Sequence, residues 1–327
     1  MNCLVVGASG YIGSAITAAF EREGHKVLAV GGPFSLKGRS GFSYAEGLYT
    51  AIQQELAEVD VVVYAAGRVV PSTSISANEA IRLDALPLGE LLESLGRLKS
   101  QPAFVFIATA GAIYGSTPDG TVLTEASPPA PVSVYGLVRS LMEQMVEHAK
   151  RTRQVRGVIL RPSNIYGPGQ RVNGPAAFIV RALKAAATGV PMELWGTGQQ
   201  RKDFLFIDDL VEAVGHAVAY ARRDSFWDGP SVFNICRGES ASLLEALTII
   251  REVSGKEVPY RTIEARSTDV QRVELSAELA ARALDWHART DLRAGLTKFW
   301  AAQARELSGR PQFLAGQGPS ESLERIS

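Results

Sequence analysis

Tyr135 and Arg139 stand four residues apart in a stretch of helical periodicity, which puts both side chains on one helix face about a turn apart. A phenol with an ordinary pKa of about 10 exchanges protons near neutral pH only when a neighbouring cation favours its anion, and Arg139 would be that cation. Taken bare, the same spacing also describes a solvated surface pair. A second chemical signal lies at the start of the chain, where Gly7-Ala8-Ser9-Gly10-Tyr11-Ile12-Gly13 follows a strand-like run directly and opens a helical pattern. Gly7 permits a tight turn, Gly10 lets backbone approach a pyrophosphate, and Gly13 lets the helix close on its strand with its N-terminus towards the phosphates.

Such a loop binds NAD when an acidic side chain ends the second strand, about 20 residues further on, and accepts hydrogen bonds from the adenosine ribose. Here that strand runs into Gly31-Gly32, and Lys37 and Arg39 follow. Losing the carboxylate removes the ribose acceptor and the repulsion of a 2′-phosphate, so NADP(H) is expected over NAD. Alternatively, Lys37 and Arg39 are solvated loop charges and backbone or water holds the ribose. The four histidines, His25, His148, His216 and His287, show no metal-ligand spacing, so no metal is expected.

These residues need a scaffold, and the sequence describes one. Short β-branched runs at 3–6, 26–30, 59–65, 103–108 and 157–160 alternate with helical patterns at 14–22, 77–98 and 135–151, which predicts an α/β fold with a Rossmann-type, doubly wound parallel sheet. After Arg161, Pro162, Pro168, Pro175 and Pro191 break the text into pieces that read as loops and small helices. A further strand is expected at 232–236 and a helix at 242–253, with Ser240 as a possible cap. The expected division is a dinucleotide-binding domain over 1–162 with returning segments near 203–235, a smaller C-terminal substrate-binding lobe from 163–202 and 236–307, and a frayed tail at 308–327.

The 327 residues are 46% hydrophobic and 21% charged, which excludes a largely disordered or fibrous chain. Lysine plus arginine and aspartate plus glutamate each number 34, so no overall field draws nucleic acid or an anionic membrane. No window is long and apolar enough for a membrane span, and Met1 leads into a strand without a basic leader, so the expected location is cytoplasmic. Cys3 and Cys236 sit in apolar runs and read as core thiols.

Further motifs follow in order: Val63-Tyr64-Ala65-Ala66-Gly67; Ile113-Tyr114-Gly115; Ser133-Val134-Tyr135-Gly136; Arg161-Pro162-Ser163-Asn164-Ile165-Tyr166-Gly167-Pro168-Gly169-Gln170-Arg171; Gly196-Thr197-Gly198 through Asp203-Phe204 to Asp208-Asp209; and Phe233-Asn234-Ile235. With the glycine loop they make the chain, from Cys3 to about Trp300, resemble the extended short-chain dehydrogenase/reductase family in its NAD(P)-dependent nucleotide-sugar epimerase/dehydratase branch. The resemblance implies a catalytic Tyr135 and cofactor contacts from Ser9, Tyr11, Ile12, Ala65, Ala66, Gly67 and Pro162 besides the three loop glycines. It also implies a nucleoside diphosphate sugar as substrate, met by Asn164, Lys202 and Arg266, and a homodimer formed through the helices at 77–98 and 135–151. Arg201 adjoins Lys202 on an extended segment, so one of the two is expected to face the ligand.

Two positions depart from the family pattern. The lysine four residues after the tyrosine is Arg139, which keeps the charge and the capacity to bond a ribose but cannot relay a proton. The hydroxyl position four before Tyr114 is Ala110, with Thr109 just before it and expected on the opposite strand face unless the strand bulges. The dehydratase acid and base positions are Gly111 and Ala112, which argues against 4,6-dehydration. The expected reaction is NADP(H)-dependent hydride transfer, most simply reduction of a 4-keto sugar, with Tyr135, Arg139 and Thr109 as its catalytic set. The alternatives are a 4-epimerase that holds NAD tightly and a catalytically weak cofactor- and nucleotide-sugar-binding protein.

Overall fold

The computed structural model describes residues 1–32, 41–71, 73–115, 120–170, 178–264 and 272–308, with side chains described as far as residue 303. Its first strands are β1 (Asn2–Val6), β2 (Lys26–Gly31), β3 (Gly41–Ser43), β4 (Val61–Tyr64), β5 (Ala103–Ile107), β6 (Val122–Leu123) and β7 (Arg156–Pro162). Then follow β8 (Asn164–Tyr166), β9 (Met192–Trp195), β10 (Arg201–Phe206), β11 (Val232–Ile235), β12 (Ser240–Ser242), β13 (Tyr260–Ile263) and β14 (Glu274–Leu275). Seven of them form one sheet in the order β11-β7-β5-β4-β1-β2-β3, and every neighbouring pair is parallel. The order reverses between β1 and β4, and the crevice beyond their carboxyl ends is where a sheet of this kind binds its ligand.

Strand alternation builds two cores from one set of residues. Cys3, Val5, Val61, Val63, Val105 and Leu160 join Ile16, Phe20, Leu210 and Val214 on one face. Leu4, Val6, Val62, Tyr64, Phe104, Phe106 and Ile159 join Leu88, Leu91, Val138 and Met142 on the other. Helices Tyr11–Arg22 and Ile207–Ala221 therefore cover the first face, and Leu86–Gly96 and Val134–Arg151 the second. The first core continues into the small sheets through Leu183, Leu194, Phe204, Phe206, Leu247 and Phe299. Both cysteines are buried.

The helix expected at 77–98 runs from Ala77 to Gly96 but contains a π-turn at Ile81–Ala85. Pro87 stands two residues beyond it; it has no N–H for the carbonyl four residues back, and the ladder loosens there. The Pro-rich text after Arg161 conceals more regular structure than expected: helices Phe178–Thr188 and Ile207–Ala221, and strands β8 to β10. Pro162 ends β7 and Pro191 precedes β9, so these prolines stand at element boundaries. The cap of helix Leu243–Ser254 is Ser242, not Ser240: Ser242 Oγ accepts the Glu245 N–H at 3.0 Å, and Glu245 Oε2 accepts the Ser242 N–H at 2.7 Å. Ser240 belongs to β12 and is bonded by Arg201. Lys37, Arg39, Arg266 and the tail from 309 lie outside the described residues. No helix among the described residues is long and apolar enough to cross a membrane.

Candidate active site

Gly7 leaves β1 at φ +91°, and a Cβ there would stand 2.7 Å from the Ala65 carbonyl carbon and the Ala66 nitrogen. The turns after β1 and β4 thus touch backbone to backbone, which a side chain at Gly7 would prevent. A Cβ on Gly13 would stand 2.1 Å from the Gly7 oxygen, so the helix can begin this close to the strand only with glycine there. Helix Tyr11–Arg22 starts with no side-chain cap and no acid in its first turn, which leaves its leading N–H groups to an external anion. The cradle fits a dinucleotide pyrophosphate. The Tyr11 ring instead lies against Gly167 and Gly169, its hydroxyl buried without a partner among the described residues and its pKa raised by burial and then by Asp208. Any phosphate contact by Tyr11 is left to its backbone.

At the end of β2, Ser9 occupies the space of the missing carboxylate. Ser9 Oγ accepts the Gly32 N–H at 3.1 Å and would be 2.9 Å from a Cβ on Gly31. A larger residue at 31 would have to displace Ser9.

Ser133 caps helix Val134–Arg151 by accepting the Gly136 N–H at 3.1 Å, and His148, Lys150 and Arg151 suit its carboxyl end. From this helix Tyr135 and Arg139 share a face, with the Arg139 guanidinium carbon 5.4 Å from the Tyr135 ring centroid and 6.0 Å from that of Phe106. The solvated pair is excluded, since Arg139 is only 7% exposed. Its Nη1 donates to the Ala66 carbonyl at 3.2 Å, its Nη2 lies 3.9 Å from Asp84 Oδ2, and its Nε is buried without a partner among the described residues. The half-buried Tyr135 hydroxyl makes no hydrogen bond to a described residue. Gly67 makes room: a Cβ there would stand 1.8 Å from Arg139 Nη2.

The expectation for Thr109 needs correction. β5 ends at Ile107, and Thr109 is the N-cap position of a short helix, Ala110–Tyr114, so strand alternation no longer governs it. Thr109 is half-buried and its side chain bonds to no described residue. Ala110 is fully buried against Tyr114, Leu123, Cys236, Val273 and Leu275. Thr109 is thus the accessible hydroxyl at this strand end.

On the substrate side, Asn164 is exposed at the start of β8 and its amide donates to the Asp203 carbonyl at 3.0 Å. Arg201 is tied to Ser240 and Glu245, and both it and Lys202 next to it are half-buried. Asp203 anchors the region by accepting from Ser163 Oγ at 2.5 Å and from the N–H groups of Arg237 and Gly238 at 3.1 and 2.7 Å. Burial raises its carboxyl pKa, and these donors act against that rise. Pro162 is buried at the end of β7, where it pairs with Ile235.

Sequence reasoning missed Asp84 and a buried network behind the site. Arg161 holds Glu143 through Nε and Nη2 and donates from Nη1 to the Tyr114 hydroxyl at 2.7 Å, which in turn donates to Asn234 Oδ1 at 2.8 Å. Burial raises the Glu143 and Tyr114 pKa values against the pull of Arg161. Glu143 lies four residues beyond Arg139, so the spacing 135, 139, 143 held the signal. Asp84 showed only as a lone acid in an apolar run.

A parallel sheet with a glycine-lined switch point and a helix-borne tyrosine above it defines a Rossmann-type enzyme of the extended short-chain dehydrogenase/reductase kind. The sequence matches the NAD dependent epimerase/dehydratase family over residues 3–236, and the chain belongs to that family. It is 26% identical over 314 residues to a dTDP-6-deoxy-L-talose 4-dehydrogenase (NAD(P)(+)) of Kitasatospora kifunensis, covering 92% of this chain and 95% of the relative. It is also 26% identical over 327 residues to a UDP-glucose 4-epimerase of Azospirillum brasilense, covering 93% and 92%. Among solved structures, MoeE5 in complex with UDP-glucose and NAD superposes with a TM-score of 0.81 at 27% identity, covering 94% of this chain and all of that one.

Proposed function

We propose that the protein is an NADP(H)-dependent reductase acting on a keto carbon of a nucleoside diphosphate sugar, in the simplest case a 4-keto sugar. The observation that carries this reading is the end of β2, where Ser9 Oγ lies 2.9 Å from where a side chain at Gly31 would begin, so that Ser9 stands where a ribose-binding carboxylate would. Lys37 and Arg39 are the proposed cations for that phosphate. Gly7, Ser9, Gly10, Ile12 and Gly13, with Ala65, Ala66 and Gly67 facing them and Pro162 beyond, are the proposed cofactor wall. A reduced nicotinamide bound there supplies a hydride for the carbonyl carbon.

Tyr135 gives its phenolic proton to the carbonyl oxygen, and its hydroxyl has no hydrogen bond to a described residue to hold it back. Arg139 stabilises the phenolate that results, across the short distance to the ring. Thr109 takes over the hydrogen bond that Ala110 cannot make, and Asn164, Lys202 and Arg266 bind the diphosphate. The homodimer is proposed through helices Leu86–Gly96 and Val134–Arg151, which leave Leu86 59% and Leu137 50% exposed.

Titration of cofactor-stripped protein with NADPH and NADH, followed by nucleotide fluorescence, tests the cofactor. The expected result is a preference for NADPH of about tenfold or more that fades when Lys37 and Arg39 are neutralised. Tight retention of NAD(H) would favour a 4-epimerase instead, and failure to bind either would favour a non-catalytic protein. In the same protein Tyr135→Phe is expected to lower reduction of a 4-keto sugar by at least about 100-fold with cofactor affinity nearly unchanged. Full activity in that variant would overturn the assignment.

A further inference from the structure

Asp84 is a carboxylate in the middle of an apolar helical run, 2% exposed and carried on the π-turn Ile81–Ala85. Its Oδ1 accepts the Arg68 N–H at 2.7 Å and its Oδ2 the Val69 N–H at 3.3 Å, which fixes the chain just beyond Ala65-Ala66-Gly67. The same Oδ2 lies 3.9 Å from Arg139 Nη2, a Coulombic contact longer than a hydrogen bond. Between residues this buried such a contact is weakly screened.

We propose that Asp84 is a positioning residue for proton transfer: it holds the Arg139 guanidinium at the Ala66 carbonyl and offsets part of its charge, so that Tyr135 keeps its proton until the substrate oxygen takes it. The proposal rests on the reading of Tyr135 as the acid. A reductase starts from the phenol, and an unopposed guanidinium this close to the ring would favour the phenolate. The place of Asp84 is built, since Gly67 clears the space for the guanidinium and the π-turn brings the acid to it.

Other charged and titratable groups on and around this helix, among the described residues, are engaged elsewhere or, like Glu93, exposed. Glu79 pairs with Arg82 on the exposed side, Glu90 receives bonds from the Tyr44 hydroxyl and the Tyr49 N–H, and Arg68 lies over the Tyr44 ring. Glu143 and Tyr114 are held by Arg161, Arg156 bonds to the Ala221 and Arg223 carbonyls, and Tyr64 is buried. Among the described residues, Asp84 is the carboxylate that meets Arg139.

The test needs no substrate. Protein labelled with ¹³Cζ-tyrosine is titrated by NMR, and the Tyr135 resonance is identified by its loss in Tyr135→Phe. In Asp84→Asn its midpoint is expected to fall by about one pH unit, and in Arg139→Met to rise. Adding Asp84→Asn to Arg139→Met is expected to move it no further down. Asp84→Ser, which keeps an acceptor for the Arg68 N–H without the charge, is the second variant should Asp84→Asn fold poorly, and it is expected to give the same fall. An unmoved midpoint in these variants, or an equal fall in the absence of Arg139, overturns the role of Asp84. Failure of the functional reading is separate: it would show as full turnover by Tyr135→Phe.

Discussion

At the scale of single residues, the site depends on small groups as much as on reactive ones. Gly67 has ordinary backbone geometry, yet any Cβ there collides with the Arg139 guanidinium. Gly67→Ala is therefore expected to displace Arg139 and to lower stability by about 1–3 kcal/mol, with a loss of activity. Combined with Arg139→Met, the same change is expected to be nearly neutral in stability, which thermal unfolding of the single and double variants would show. Tyr135, Arg139 and the loop glycines were legible in the sequence because helix spacing and the strand-loop-helix order fix where such residues go. Asp84 was not, because its partner lies 55 positions away and local periodicity carries no information about pairing at that distance.

Elements were legible where the hydrophobic period was clean and obscure where proline interrupted it. β1, β4 and β5 matched their apolar runs because both faces of each strand are buried. Helix Phe178–Thr188 escaped because the Pro and Gly residues around it read as loop, though its own apolar face is helical and buried. Ser240 reads as a possible cap from sequence because two serines flank one boundary and only the reciprocal bond with Glu245 singles out Ser242. Ser242→Ala is expected to lower stability by about 1 kcal/mol, measured by urea unfolding, while Ser240→Ala has a smaller effect. The strand alternation assumed for Thr109 failed because a helix starts where the strand was expected to continue.

The whole molecule has two further testable properties. Burial pushes the Cys3 thiol up from its ordinary 9.0 to about 11 and raises the phenols of Tyr11, Tyr49, Tyr64 and Tyr166. Each group holds its proton more tightly when folded, so its contribution is complete below the unfolded pKa and is lost as pH rises through the folded one. The free energy of unfolding is thus expected to fall from about pH 9 upwards, and Cys3→Ala to remove about 2 kcal/mol of that fall by pH 11. For the proposed dimer, Leu86→Lys with Leu137→Lys is expected to shift sedimentation from dimer to monomer; an unchanged dimer would place the interface elsewhere.

β11 closes the sheet by pairing with β7, yet β7 ends at Pro162 and β11 begins at Val232. During synthesis the β7 edge stays unpaired while the intervening chain emerges, a matter of seconds at ordinary translation rates of about 5–20 residues per second. An apolar parallel edge left open that long invites pairing with another nascent chain. The yield of folded protein is therefore expected to change with how fast the ribosome delivers residues 163–235, and expression with slowed codons across that segment would show it as a larger aggregated fraction.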